Sequence, residues 1–161
     1  MIRLEEIGEH NFAQALRLSL DEEQLAFCAD AAGILARGYA FRESNARVWA
    51  IVADGAMVGL ALVRDLDEEP ACYDLQEFMI DRRQQNRGYG RAALALILER
   101  LRAEGRYPCV EVCVHRADAA ALRVYQDADF ADTGYQDPDL PDFLNLRCPL
   151  IPENTAKTER G

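Results

Sequence analysis

Cys72-Tyr73-Asp74-Leu75-Gln76-Glu77-Phe78-Met79-Ile80-Asp81-Arg82-Arg83-Gln84-Gln85-Asn86-Arg87-Gly88-Tyr89-Gly90-Arg91-Ala92-Ala93 is the stretch that decides how this 161-residue chain reads. Residues 73–80 are apolar-rich and predict a strand. A polar loop follows that carries Arg82, Arg83, Arg87 and Arg91, and a helix begins at Gly88 and Gly90. In a chain of net charge −10, this gathers positive charge at one helix N-terminus. Free N–H groups at a helix start, glycines that admit a ligand to the backbone and nearby guanidiniums together suit a pyrophosphate.

Gly88-Tyr89-Gly90-Arg91-Ala92-Ala93 also fits the relaxed dinucleotide fingerprint G-x-G-x-x-A. Context argues against that reading. A run of polar residues separates the strand from Gly88, where a dinucleotide fold needs a tight turn. The next strand, 109–115, ends in histidine rather than in a ribose-binding acid.

Working outward, residues 2–6 predict a first strand, and 10–20 and 21–38 two helices, the second stopping at Gly38. The aliphatic runs 48–53 and 57–63 meet at Asp54-Gly55, a strong hairpin signal. Residues 64–70 read as an acidic loop. After the glycines, Leu94, Ile97, Leu98 and Leu101 recur on one helical face, and Gly105 ends the helix. Residues 109–115 predict a strand, Asp118 caps a helix over 119–127, and 130–135 and 143–150 predict the last two strands. Residues 1–150 therefore read as one domain and 151–161 as a flexible tail.

Composition limits the function. Six phenylalanines, six tyrosines and one tryptophan suit a packed core rather than disorder. No apolar run approaches the roughly 20 residues of a membrane span, and the N-terminus lacks a signal-peptide pattern, so a cytoplasmic location is expected. Five scattered cysteines without a C-x-x-C pair suit reduced thiols. With only two histidines besides, no metal is expected. The negative charge disfavours nucleic acid and would draw a cationic partner.

Gln85-Asn86-Arg87-Gly88-Tyr89-Gly90 resembles the acetyl-coenzyme A signature of the GNAT N-acetyltransferases, Arg/Gln-x-x-Gly-x-Gly/Ala. The order of elements over residues 2–150 is that of the same family. So is the segment running from Val114 to Phe130, which resembles N-x-x-A-x-x-x-Y-x-x-x-G-F with Asp118 in place of asparagine and Asp129 in place of glycine. The resemblance implies an α/β GNAT acyl-CoA N-acyltransferase fold, a mixed and mostly antiparallel sheet flanked by four helices. Within the family, Glu22-Glu23-Gln24, Tyr39-Ala40-Phe41, Val58-Gly59-Leu60 and Glu77-Phe78-Met79-Ile80-Asp81 resemble bacterial spermine/spermidine-type acetyltransferases.

That likeness implies acetyl-CoA as cosubstrate and direct attack, in a ternary complex, by the primary amine of a small cationic acceptor such as spermidine or spermine. Phe78, Met79 and Ile80 would bond pantetheine along a splayed strand, with the N–H of Met79 or its neighbour facing the thioester oxygen. Gln85, Asn86, Arg87, Gly88, Tyr89, Gly90 and Arg91 would hold the pyrophosphate, and Asp118 stands at a further cofactor contact. Tyr125 matches the tyrosine that protonates the departing thiolate. Asp74 is the first choice of base. Glu77 belongs to the opposite face of an unbroken strand, and only a bulge would change that. Gln76, Glu22 and Glu23 are expected to meet the acceptor. The acidic groups Asp65, Asp67, Glu68 and Glu69, and Asp137, Asp139 and Asp142, would add to its field. A homodimer is a possible assembly. The alternatives are a GNAT enzyme for another amine (a protein N-terminus or lysine, an aminoglycoside, an amino acid) and a non-catalytic acyl-CoA-binding domain.

Overall fold

In a computed structural model, residues 1–151 are described. Along the chain run β1 (Ile2–Glu6), α1 (Phe12–Ala15), α2 (Ala31–Ala40), β2 (Arg47–Ala53), β3 (Ala56–Leu66), β4 (Cys72–Ile80), α3 (Tyr89–Glu104), β5 (Cys109–His115), α4 (Ala119–Asp127), β6 (Ala131–Asp132) and β7 (Phe143–Pro149). Single 3₁₀ turns lie at Gln24–Ala26 and Arg42–Ser44. The strands form one sheet in the order β1-β2-β3-β4-β5-β7-β6. Every neighbouring pair is antiparallel except β4 and β5. This is the α/β fold expected, with four α-helices. Of the flexible tail expected over 151–161, all but residue 151 lies outside the described residues.

Patterning places the layers. Leu94, Ile97, Leu98 and Leu101 of α3 are all buried, and with Tyr125 and Phe130 they pack on Trp49, Val63, Tyr73, Leu75, Val110 and Leu146. Each such side chain contributes about 2 kcal/mol by leaving water. On the other face, Ala15 of α1 and Ile34 of α2 close over Ala50, Val52, Leu60, Leu62 and Met79. The β2–β3 turn has φ of 50° at Asp54 and 82° at Gly55, the hairpin geometry that Asp-Gly signals. Gly105, at φ 66°, ends α3 as read.

The first two helices differ from the reading. Instead of helices over 10–20 and 21–38, α1 has four residues and an irregular strap runs from Asp21 to Asp30. The second helix starts only where the Asp30 carboxylate accepts from Gly33 N at 2.7 Å. Gly38 lies inside α2 and does not stop it. A Cβ there would come within 2.5 Å of Val48 Cγ2, so this glycine lets α2 approach β2. Two strand boundaries also move: β3 continues to Leu66 into the expected loop, and β6 is only two residues long.

Two irregularities prepare the site. Leu62 pairs with Glu77 but Val63 with Leu75, so Gln76 is an extra residue, a β-bulge in β4. In addition, β4 and β5 pair only at Tyr73–Val110 and Asp74–Glu111. Beyond Asp74 the two strands part, and β5 stays with β7 along its whole length.

Candidate active site

The bulge resets the alternation of β4. Before it, Leu75 faces α3, while Asp74 shares the α2 face with Arg64 and pairs with its Nε at 2.9 Å. After it, Glu77 lies opposite Leu62 and also faces α2, whereas Phe78 lies opposite Ala61 and faces α4. Asp74 and Glu77 therefore share one face, and the unbroken alternation expected from sequence does not hold.

The backbone of β4 alternates too. Asp81 N donates to Val58 O on β3 at 2.7 Å. Stepping back two residues, the N–H of Met79 also points to β3, and those of Phe78 and Ile80 point into the gap. Side chains already reach the gap-side carbonyls: Gln85 Nε2 donates to Ile80 O at 3.0 Å, and Cys28 Sγ lies 3.8 Å from Phe78 O.

At the end of the gap the loop turns into α3. Asn86 and Gly88 have φ of 63° and 82°. The N–H groups of Gly88, Tyr89, Gly90 and Arg91 donate to no acceptor among the described residues, and the first helical bond is Ala92 N to Gly88 O at 3.2 Å. A Cβ on Gly88 would meet nothing within 4 Å, and one on Gly90 only Ile80 Cγ1 at 3.8 Å. Internal packing thus demands neither glycine, and both border open space. Asp81 fixes the loop from beneath. It is 1% exposed and accepts from Ser19 N and Arg83 N and from the Arg83 guanidinium. Burial alone would raise its carboxyl, but these donors outweigh burial and hold it below the usual range.

Between these elements lies a cavity of about 630 Å³. Leu20, just before the strap, and Gln24 and Cys28 within it line the cavity, with Phe78, Met79 and Ile80 of β4. Gln84, Gln85, Asn86, Gly88, Tyr89, Gly90 and Arg91 line the loop end, and Asp118 to Ala121 with Arg123, Val124 and Tyr125 line the α4 wall. Tyr125 is 5% exposed, and its ring lies 6.4 Å from Phe78 and 5.3 Å from Phe130. Burial, then the neighbouring carboxylates of Asp118 and Glu77, push its phenol well above the ordinary range, so it keeps its proton.

The other expected residues fall in different places. Gln85 lines the cavity, but its amide is engaged in a reciprocal pair with Gln24 at 2.8 and 3.0 Å. Arg91 pairs with Asp127 of α4. Asp118 caps α4 through Ala121 N at 3.2 Å, and Asp129 takes the left-handed φ of 69° that a glycine would adopt freely. The Arg87 side chain is exposed and lies outside the lining, as are Glu22 and Glu23, which adjoin Gln24. Asp74 and Gln76 also lie outside it, and Gln76 Oε1 is buried without a partner among the described residues. Asp65 faces Arg106 at 3.0 Å, away from the loop.

Sequence reasoning missed the strap. Phe27 stacks on His115 with ring centres 4.7 Å apart, and Cys28 Sγ lies 3.2 Å from Glu77 Oε2. Ala29 N donates to the same oxygen at 3.3 Å, and Arg37 lies 3.4 Å from Oε1. The one available signal was Asp30 as an N-cap, which would have moved the helix start and released residues 21–29 as irregular chain.

Among solved structures, an aminoglycoside acetyltransferase in complex with coenzyme A superposes with a TM-score of 0.76 at 14% identity, over 99% of each chain. The spermidine N-acetyltransferase of Vibrio cholerae, in complex with CoA and spermine, gives 0.71 at 12% identity, over 92% of this chain and 95% of that one. The ribosomal-protein-S18-alanine N-acetyltransferase of Escherichia coli gives 0.69 at 18% identity, over 96% and 98%. At such identities the likeness is one of fold. No curated protein matches the chain by sequence. Residues 8–130, however, match the model of the Acetyltransferase (GNAT) family. That match takes in the bulged strand, the glycine loop, the gap and the tyrosine helix, and the chain belongs to the GNAT acetyltransferase family.

Proposed function

We propose that this protein transfers an acetyl group from acetyl-CoA to the primary amine of a small acceptor, by direct attack within a ternary complex. The observation that carries the proposal is the set of four amides, Gly88 to Arg91, without an acceptor among the described residues, at the end of a gap whose wall holds the buried Tyr125. The open space over Gly88 and Gly90 fits a diphosphate, and the gap edge of β4 fits a pantetheine chain. Bound acetyl-CoA supplies a thioester whose carbonyl the amine attacks.

This chain's residues do the rest. The amides of Gly88 to Arg91 and the dipole of α3 hold negative charge. The Phe78 N–H, on the gap side of β4, donates to the acyl oxygen as charge develops there. Tyr125 gives its proton to the leaving sulfur, for which a phenol is suited because it stays protonated at neutral pH. The base is Glu77, which the bulge turns to the α2 face behind Cys28 and which receives the ammonium proton through a water. Asp74, the first choice from sequence, stays paired with Arg64 and acts as support for that face.

For the acceptor we infer a small cationic amine of the spermidine or spermine kind. The net charge of −10 and the exposed Glu22 and Glu23 beside Gln24 support it. The test is free-thiol release from acetyl-CoA across a panel of polyamines, aminoglycosides, amino acids and N-terminal peptides. Polyamine-dependent release supports the full proposal. Release with another amine only would overturn the acceptor, and tight CoA binding without release for any amine would favour a non-catalytic binding domain.

A further inference from the structure

We propose that Cys28 is a positioning residue for acetyl transfer: its thiol, with the Ala29 amide, holds one oxygen of Glu77 so that the carboxylate faces the acceptor side of the gap. The inference rests on Glu77 acting as the base.

Three observations carry it. First, both donors reach the same oxygen, Oε2, at 3.2 and 3.3 Å, while Arg37 lies 3.4 Å from Oε1. The carboxylate is therefore held from two sides, which fixes its plane. Second, the segment that brings the thiol is fastened twice just ahead of Cys28, by the Gln24–Gln85 amide pair to the glycine loop and by the Phe27–His115 ring contact to β5. Third, Cys28 lines the cavity, whereas Glu77 stands one contact behind it with only 10% of its side chain exposed. The thiol therefore sits where the base would meet the acceptor.

A nucleophilic role suits Cys28 poorly. Burial, followed by the charge of Glu77, pushes its thiol far above the ordinary range, and a thiol that keeps its proton is a donor rather than an attacking thiolate. The groups that touch the carboxylate are Cys28 and the Ala29 amide from the strap and Arg37 from α2, while Tyr125 of α4 and, near Cys28, Asp118 stand farther off. Asp74 shares its strand and face but is tied to Arg64. Of these, the strap donors are the pair that binds Oε2.

The test compares Cys28→Ala, Cys28→Ser and Glu77→Gln, each checked for coenzyme A affinity by calorimetry. In Cys28→Ala, kcat/KM for the amine is expected to fall about tenfold and its acidic limb to move to higher pH, because a donor to the ionised carboxylate is gone. The hydroxyl of Cys28→Ser should restore most of both, and coenzyme A affinity should stay within about twofold in all three. An acidic limb unmoved in Cys28→Ala, or a serine variant as impaired as the alanine one, would overturn the positioning role. A wild-type limb in Glu77→Gln would instead overturn the base assignment beneath it. The contact can also be read without turnover, by iodoacetamide labelling followed by peptide mass spectrometry at Cys28. Labelling should be several-fold faster in Glu77→Gln, since loss of the neighbouring charge eases thiolate formation, and an unchanged rate would count against the contact.

Discussion

Gly90→Glu separates a glycine kept for a ligand from one kept for the fold, since the signature itself admits alanine there. The residue lies in the first turn of α3, and its new Cβ would touch only Ile80 Cγ1, at an ordinary 3.8 Å. Stability should therefore hold or rise, since glutamate is a better helix former than glycine by about 0.5 kcal/mol and an acid in the first turn suits the helix dipole, roughly 1–2 °C in Tm for a domain of this size. The carboxylate would project beside the amides of Gly88 to Arg91 and repel a diphosphate from them. Charge-assisted hydrogen bonds contribute about 1.5–3 kcal/mol each. Loss of about 2 kcal/mol weakens coenzyme A binding roughly 30-fold. Calorimetry with coenzyme A, beside a thermal melt, reads both quantities. Wild-type affinity, or a Tm lowered by several degrees, would refute the reasoning.

Tyr125→Phe should keep coenzyme A affinity and lose about a hundredfold in turnover, measured by thiol release; unchanged turnover would remove the tyrosine as acid. Gly59→Ala should be costly, because the new Cβ would fall 2.2 Å from Met79 O, backbone that cannot yield; about 3 kcal/mol is expected in urea unfolding. Asp81→Asn tests the loop anchor. Because the folded carboxyl is held low, its stabilisation is present above the unfolded value near 4 and fades as pH falls through the folded value. The variant should therefore be less stable by about 2 kcal/mol at pH 7, and the difference should shrink as the pH falls below the unfolded value near 4. If the acidic field recruits the acceptor, the apparent affinity of a polyamine should weaken steeply with added salt, and a flat response would remove that role.

Where local chemistry decides structure, the sequence is enough. Cys109–His115 and Ala119–Asp127 have the bounds expected, because a β-branched run and an Asp118 cap leave little choice. Asp54-Gly55 and Gly105 adopt the positive φ that their turn and cap require. The strap is different: Leu25, Cys28, Ala32 and Leu35 fall near helical spacing, yet Asp30 takes the cap and tertiary contacts of Phe27 and Cys28 hold the rest. The Gln76 bulge has no local signature, since it depends on how β3 and β4 register, and so the face of Glu77 was not legible. Gly38 reads as a stop until Val48 is seen against it.

The central claim, that the start of α3 holds the cofactor's diphosphate, is tested most directly by following the backbone amide resonances during a coenzyme A titration. The amides of Gly88, Tyr89, Gly90 and Arg91 should move together and saturate with the calorimetric Kd. Saturable binding that leaves those four signals in place would contradict the account.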